Sequence, residues 1–159
     1  MQHSISFTSR LIKWIGTIAF ALSASSAFAI SPVFSTDAGA IRGYDPVAYF
    51  TQHKPVKGSD QLVYQWQDAQ WHFSSQANLD AFKAAPEKFA PQYGGYCAYG
   101  VAQGYTPETD PAAFKVVNGK LYLNLSKVVL RRWVKDIPGY VKDADQNWPE
   151  LKAGTFVEK

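Results

Sequence analysis

The sequence predicts an α+β fold, in which a small antiparallel sheet of two hairpins is covered by short helices and a C-terminal helical segment. Leu62, Tyr64 and Trp66 recur at every second position, with Gln61, Gln65 and Gln67 between or beside them, which indicates a strand with one buried face. The aromatic residues at 71 and 73 begin the return strand of this first hairpin. Asn118-Gly119 lies between two apolar runs and predicts a two-residue turn in a second hairpin.

The helices are predicted from apolar spacing and from capping residues. Ser74 or Ser75 can cap a helix in which Leu79 and Phe82 share one face. Residues 86–89 form a further helical turn, because proline is tolerated at a first helical position.

The C-terminal segment is expected to contain two helices. Asn124 or Ser126 caps the first, Pro138-Gly139 interrupts the apolar stripe, and Pro149 ends the second helix. Residues 44–50 predict a turn that leads into a short apolar strand.

The N-terminus has the pattern of a secretory signal peptide over residues 1–29. Arg10 and Lys13 supply positive charge, residues 14–24 are largely apolar, and Ala27-Phe28-Ala29 offers a small-x-small cleavage site. The apolar run is short for a bilayer span, so we expect cleavage after Ala29 and a periplasmic or secreted protein with no stable membrane span.

Behind this leader, we expect a flexible lead-in at residues 30–40, one domain at 41–151 and a C-terminal tail at 152–159. The whole chain has a net charge of +3, but loss of Arg10 and Lys13 leaves 14 basic and 13 acidic residues. A nearly neutral mature protein gives no electrostatic argument for binding nucleic acid or an anionic membrane.

The sequence contains no nucleophile elbow, phosphate loop, dinucleotide fingerprint, Cys-x-x-Cys or His-Glu-x-x-His motif. Enzymatic activity is therefore uncertain and is the less favoured interpretation. Cys97 is the single cysteine and cannot form an internal disulfide.

Cys97 is the sharpest candidate for a site, because a thiolate is a soft ligand suited to copper or zinc. His72 is the second candidate metal ligand, and strand alternation sends it to the face opposite its aromatic neighbours, toward solvent or an outer site. A buried, inert thiol is the alternative for Cys97. Tyr44, Asp45 and Tyr96 are candidate ligand-binding residues, although turn chemistry also explains Asp45 and core packing also explains Tyr96.

Several separate blocks resemble the YHS domain family. The family's pattern is matched by Trp71-His72-Phe73-Ser74-Ser75, by Ala81-Phe82 and by Pro86-Glu87-Lys88-Phe89. Residues 44–50, 91–98, 119–124 and 144–149 resemble the exported branch of the same family.

This resemblance covers most of residues 41–149. In metal-trafficking relatives it implies cysteine ligands, but the matching positions here are Ala48, Ser74 and Ala77 or Asn78, so that metal site does not carry over.

Three hypotheses follow. The first is a binding module for a copper-like metal, zinc or a small ligand. The second is a ligand-free accessory domain that binds an unknown protein partner. The third, least favoured, is an enzyme with Cys97 as nucleophile, which would need a general base within hydrogen-bond reach.

Overall fold

The computed structural model describes residues 29–157. The strands are β1 (Ser35–Thr36), β2 (Gly39–Ala40), β3 (Ser59–Trp66), β4 (Ala69–Phe73), β5 (Asp110–Val117) and β6 (Lys120–Asn124). The helices are α1 (Ala48–Thr51), α2 (Gln76–Ala84), α3 (Pro86–Phe89), α4 (Ala98–Ala102), α5 (Lys127–Trp133) and α6 (Ile137–Ala153). Short 3₁₀ turns lie at Ile41–Gly43 and Gln92–Gly95. The predicted α+β class is confirmed. The strands form three two-stranded antiparallel sheets, β1–β2, β3–β4 and β5–β6.

Both predicted hairpins are present. In β5–β6, Asn118 and Gly119 have φ values of 50° and 74°, which are the positive values that the two-residue turn requires. In β3–β4, Trp66 pairs with Ala69, so the turn residues are Gln67 and Asp68, with φ values of 49° and 59°. The pairing register of β3 with β4 shifts between Ser59 and Val63.

The first hydrophobic core is centred on Phe82 of α2. Its ring centroid lies 5.1 Å from that of Trp71, 5.2 Å from Phe73 and 5.7 Å from Trp66. Ser75 caps α2 by accepting a hydrogen bond from the backbone of Asn78 at 3.2 Å. The predicted cap and the predicted buried face of α2 are therefore confirmed.

The second core lies under α6. Trp133 of α5 is fully buried and its ring packs 5.1 Å from that of Tyr122. Strand β6 joins the two cores, because alternate residues of a strand point to opposite faces. Leu121 and Leu123 belong to the first core, and Tyr122 belongs to the second.

Residues 44–50 do not continue into a strand as predicted. Helix α1 begins at Ala48, because the side chain of Asp45 accepts hydrogen bonds from the backbone N–H groups of Val47 at 2.9 Å and Ala48 at 3.3 Å. These bonds satisfy the donors that a helix start leaves free.

The C-terminal helices also differ from the prediction. Pro138 lies in the first turn of α6 rather than between helices, because no backbone donor is needed there and Asp136 caps the helix through Gly139. Pro149 lies inside α6, which ends only at Gly154, whose φ of 69° is the left-handed value common after helices.

Residues 30–40, expected to be a flexible lead-in, are packed on the fold. Val33 and Phe34 are buried, and β2 lies against β4. The backbone N–H of Phe34 donates to the carbonyl of Gly94 at 2.9 Å. Apolar side chains at 33 and 34 explain the difference, since burial removes them from water.

The predicted signal peptide lies outside the described residues, except for Ala29. Among residues 29–157, no helix has the length and apolar character needed to cross a bilayer.

Gly94 is expected to tolerate no side chain. Its φ is +61°, and an added Cβ would lie 2.1 Å from the carbonyl oxygen of Pro32. Gly119 has a similar φ of +74° with open space around it. We expect Gly119→Ala to lower the free energy of unfolding by about 1 kcal/mol and Gly94→Ala to lower it by about 3 kcal/mol or more. Urea unfolding of both variants measures this difference. Equal losses of unfolding free energy would contradict the prediction, because they would show that the contact between the added Cβ and Pro32 costs nothing.

Candidate functional site

Asp45, a predicted ligand-binding residue, is fully buried and bonded within the protein. Its Oδ1 accepts the two backbone bonds at the start of α1. Its Oδ2 accepts hydrogen bonds from the Ser74 backbone at 2.8 Å, the Ser74 hydroxyl at 2.6 Å and the Asn78 amide at 2.7 Å. The carboxyl group therefore has five donors and no free lone pair directed at solvent. Its local role is to join the start of α1 to the junction between β4 and α2.

Tyr44 is half-buried and lies beside Lys57. The two residues form an antiparallel backbone bridge, and the Lys57 ammonium lies 5.0 Å from the centre of the Tyr44 ring. This cation–π contact accounts for the position of the ring.

His72 is buried, so the solvent-facing alternative is wrong, and the outer-site alternative stays a prediction. Nδ1 lies 3.2 Å from a carboxyl oxygen of Asp60. A Cβ built on Gly39 would lie 2.7 Å from its ring, and one built on Gly58 would lie 2.5 Å from its Cβ. The outer face of β4 is therefore covered by the N-terminal hairpin and by the segment that precedes β3.

Cys97 is a free, buried cysteine that caps α4. Its Sγ accepts hydrogen bonds from the backbone N–H groups of Leu125 at 3.2 Å and Gly100 at 3.5 Å. The thiol lies 3.7 Å from the side-chain oxygen of Asn124, to which it can donate. Burial raises the thiol pKa above its ordinary value, although the backbone donors act in the opposite direction. The geometry thus holds a protonated thiol.

Tyr96 is half-buried and packs in an aromatic group. Its ring lies 5.7 Å from that of Phe34 and 6.1 Å from that of Trp148, and its hydroxyl donates to the carbonyl of Ser31 at 3.1 Å. Burial raises the pKa of this hydroxyl.

These five residues have separate surroundings. Apart from the chain neighbours, their hydrogen-bond partners are all different. Residues 29–157 contain no group of three or more His, Cys, Asp or Glu side chains that could hold a metal ion. The assignment of Cys97 and His72 to a metal therefore stays a prediction, and these residues belong to no such group in the described part of the chain.

The structure instead shows a cleft that the sequence did not predict, which we call the aromatic cleft. It has a volume of about 210 Å³ and lies between the β3–β4 turn, the segment after α3, the N-terminal segment and the end of α6. Its lining residues are Pro32, Val33, Trp66, Gln67, Trp71, Glu87, Ala90, Pro91, Gln92, Tyr93, Gly94, Trp148 and Lys152.

One wall of the aromatic cleft is fixed by the first hairpin. The indole N–H of Trp71 donates to the carbonyl of Trp66 at 3.1 Å, and the two rings lie 5.9 Å apart. Trp71 is fully buried, and Trp66 remains half-buried at the cleft. The hairpin turn therefore presents an indole that its neighbour holds in place.

The opposite wall is fixed by α6 and by the 3₁₀ turn Gln92–Gly95, which contains Gly94 and Gly95. The rings of Tyr93 and Trp148 lie 6.1 Å apart, and the Tyr93 hydroxyl donates to Asp145 at 2.9 Å. Burial, followed by the contact with Asp145, raises the pKa of Tyr93 strongly. This hydroxyl therefore stays protonated and positions the ring rather than moving a proton.

The rim of the aromatic cleft carries both signs of charge. Glu87 of α3 and Lys152 of α6 are exposed and line the same cleft. The sequence signal for this site was the aromatic, glycine-rich stretch around Tyr93. Trp148 and Lys152 are distant in sequence from Trp66, and no local pattern connects them.

Comparison with protein families places this geometry in context. The family model described as the YHS domain matches residues 47–93, which confirms the resemblance predicted from the sequence. The matched range runs from α1 to Tyr93 and includes Trp66, Trp71 and Glu87 of the cleft. Searches of curated proteins and of solved structures gave no match.

Loss of the Asp45 carboxyl group is expected to destabilise the fold. Asp45→Asn replaces an acceptor by an NH₂ group that faces the donors of Ser74 and Asn78, and we expect the free energy of unfolding to fall by about 3 kcal/mol. Asp68→Asn is the matched control, because Asp68 is exposed in a turn and asparagine tolerates its positive φ. Thermal and urea unfolding measure both, and a neutral Asp45→Asn would contradict the structural role.

Cys97 is expected to react slowly with a disulfide reagent at neutral pH and rapidly after unfolding in urea. Its folded pKa is raised, so the unfolded thiol ionises first as pH rises through its ordinary value of about 9. The free energy of unfolding should therefore fall above that pH, and Cys97→Ala should remove part of the slope. Fast stoichiometric reaction of the folded protein at pH 7 would show that the thiol is accessible and ionised.

Proposed function

We propose that this YHS-domain protein is an exported, non-catalytic binding module that holds a small organic ligand in the aromatic cleft. The observation that carries the proposal is the convergence of Trp66, Tyr93 and Trp148 with Glu87 and Lys152 on one concave site. Binding sites combine apolar and aromatic walls with a few polar groups that fix orientation.

The size and chemistry of the cleft indicate the class of ligand. Its 210 Å³ lies below the roughly 300–1,000 Å³ of sites for drug-sized molecules. Indole rings contact flat or apolar surfaces and attract cations. Glu87 can accept from an ammonium or hydroxyl group, and Lys152 can pair with an anionic group. A small polar molecule with one planar or hydrocarbon face fits these features.

This geometry favours a small ligand over copper or zinc. The Cys97 thiol is buried and caps α4, and His72 is packed beneath Gly39 and Gly58 beside Asp60. The same contacts disfavour catalysis, because the side chain that contacts the thiol is the amide of Asn124 and not a base. A ligand-free accessory domain is the alternative, and it requires that the cleft stay empty.

Export is part of the proposal because of the N-terminal pattern. Cleavage after Ala29 would make Ile30 the first residue, and the first fully buried side chain of the described fold is that of Val33. Removal of the leader would therefore leave both cores intact.

Native mass spectrometry of protein recovered from the exported fraction tests the proposal. We expect a polypeptide that begins at Ile30 and carries a non-covalent organic mass. Glu87→Gln and Trp148→Ala should reduce the bound fraction at least tenfold, whereas Lys88→Gln and Tyr105→Ala, at exposed positions outside the lining, should not.

The other outcomes identify which part of the proposal is wrong. A metal mass that Cys97→Ala removes would support the copper or zinc hypothesis. A protein without bound mass, whatever the variant, would support the accessory domain. A chain that retains residues 1–29 would contradict export.

A further inference from the structure

We infer that one face of the protein docks on anionic phospholipid surfaces, a property that does not depend on the aromatic cleft. This face, which we call the basic face, consists of Lys115, Lys120, Lys127, Arg131, Arg132 and Lys135. Residues 111–135 contain these six basic residues and no Asp or Glu. The other residues after position 29 contain eight basic and 13 acidic side chains. A net charge near zero therefore conceals two oppositely charged parts.

The cations of α5 occupy one side of the helix. Lys127 and Arg131 lie four residues apart on α5 and are exposed, with exposed Arg132 beside them. Exposed Lys135 follows in the turn after the helix. The opposite side of α5 carries Trp133, which is fully buried. Helical periodicity thus directs the three charges of α5 away from the core.

The hairpin extends the basic face beyond α5. Lys115 pairs with Tyr122 across β5–β6, and cross-strand partners lie on the same face of a sheet. Tyr122 packs against Trp133, so Lys115 is on the face of the hairpin where α5 lies. Lys120 pairs with Val117 and lies two residues before Tyr122 on β6, so it shares that face.

Exposed aliphatic side chains lie among these charges. Val128 is 61% exposed, Leu125 41% and Val134 40%, and these three are most of the large exposed hydrophobic residues in the described part of the chain. Val128 and Val134 flank Lys127 and Arg131 on the exposed side of α5. A combination of cations and aliphatic residues is typical of segments that insert shallowly at the lipid headgroup boundary.

The charges of this face are not neutralised within the described protein. No ion pair found among residues 29–157 involves any of the six cations. The Arg132 guanidinium lies over the ring of Tyr99 at 5.7 Å. Asp136, the first acid after the segment, accepts a hydrogen bond from Gly139 as the cap of α6. The cations therefore remain available to anionic headgroups. Each Lys or Arg near a negatively charged membrane surface contributes favourably to the binding free energy.

Co-sedimentation of the exported form with vesicles tests the inference. Vesicles of phosphatidylcholine with about one-third phosphatidylglycerol should bind the protein, pure phosphatidylcholine should not, and added salt should weaken binding. Lys127→Glu/Arg131→Glu should reduce binding at least tenfold. Lys54→Glu/Lys83→Glu, which changes the net charge equally at exposed positions elsewhere, should change it less than twofold.

A second pair of variants separates a lipid surface from an acidic protein. Val128→Ser should weaken vesicle binding about threefold, whereas Val157→Ser, at another exposed valine, should not. Equal binding to both vesicle types, or equal losses from the two charge reversals, would overturn the inference. So would full competition by polyglutamate together with no effect of Val128→Ser, which would identify an acidic protein as the partner. Thermal unfolding confirms that each variant is folded.

Discussion

The fold depends on the buried carboxyl group of Asp45. One oxygen begins α1 through Val47 and Ala48, and the other holds the junction where β4 passes into α2 through Ser74 and Asn78. A single side chain thereby sets the positions of two helix starts that are about thirty residues apart. Burial of a group this polar is tolerated because every nearby donor finds an acceptor.

The consequence of this arrangement is a first core that is held from both ends. The ring of Tyr49, in the helix that Asp45 starts, packs 4.7 Å from Phe114, and its hydroxyl donates to the carbonyl of Pro111 at 3.0 Å. Strand β5 is thereby attached to the first core, and its partner β6 places the Tyr122 side chain in the second core. The helices over that second core then carry both the far wall of the aromatic cleft and the basic face.

Much of the fold followed from short-range patterns. The turn at Asn118-Gly119, the cap at Ser75 and the buried pair Leu79 and Phe82 each involve residues a few positions apart, whose geometry local chemistry fixes. The errors also have local causes. Residues 48–51 form a helix rather than the expected strand, because the Asp45 side chain accepts from the backbone at the helix start. Pro149 was expected to end the last helix, but it is accommodated within α6.

The sequence by itself determined the α+β class, the hairpins, the YHS resemblance and the absence of a second cysteine, since each depends on periodicity, spacing or composition. Tertiary structure decided which side chains meet. It buried Cys97 and His72 among different partners, and it placed Trp148 and Trp66 on the same cleft. It also set the cations of the second hairpin on the side of β5–β6 where α5 packs. Such contacts join residues far apart in the chain, so they form when the cores pack and no local pattern specifies them.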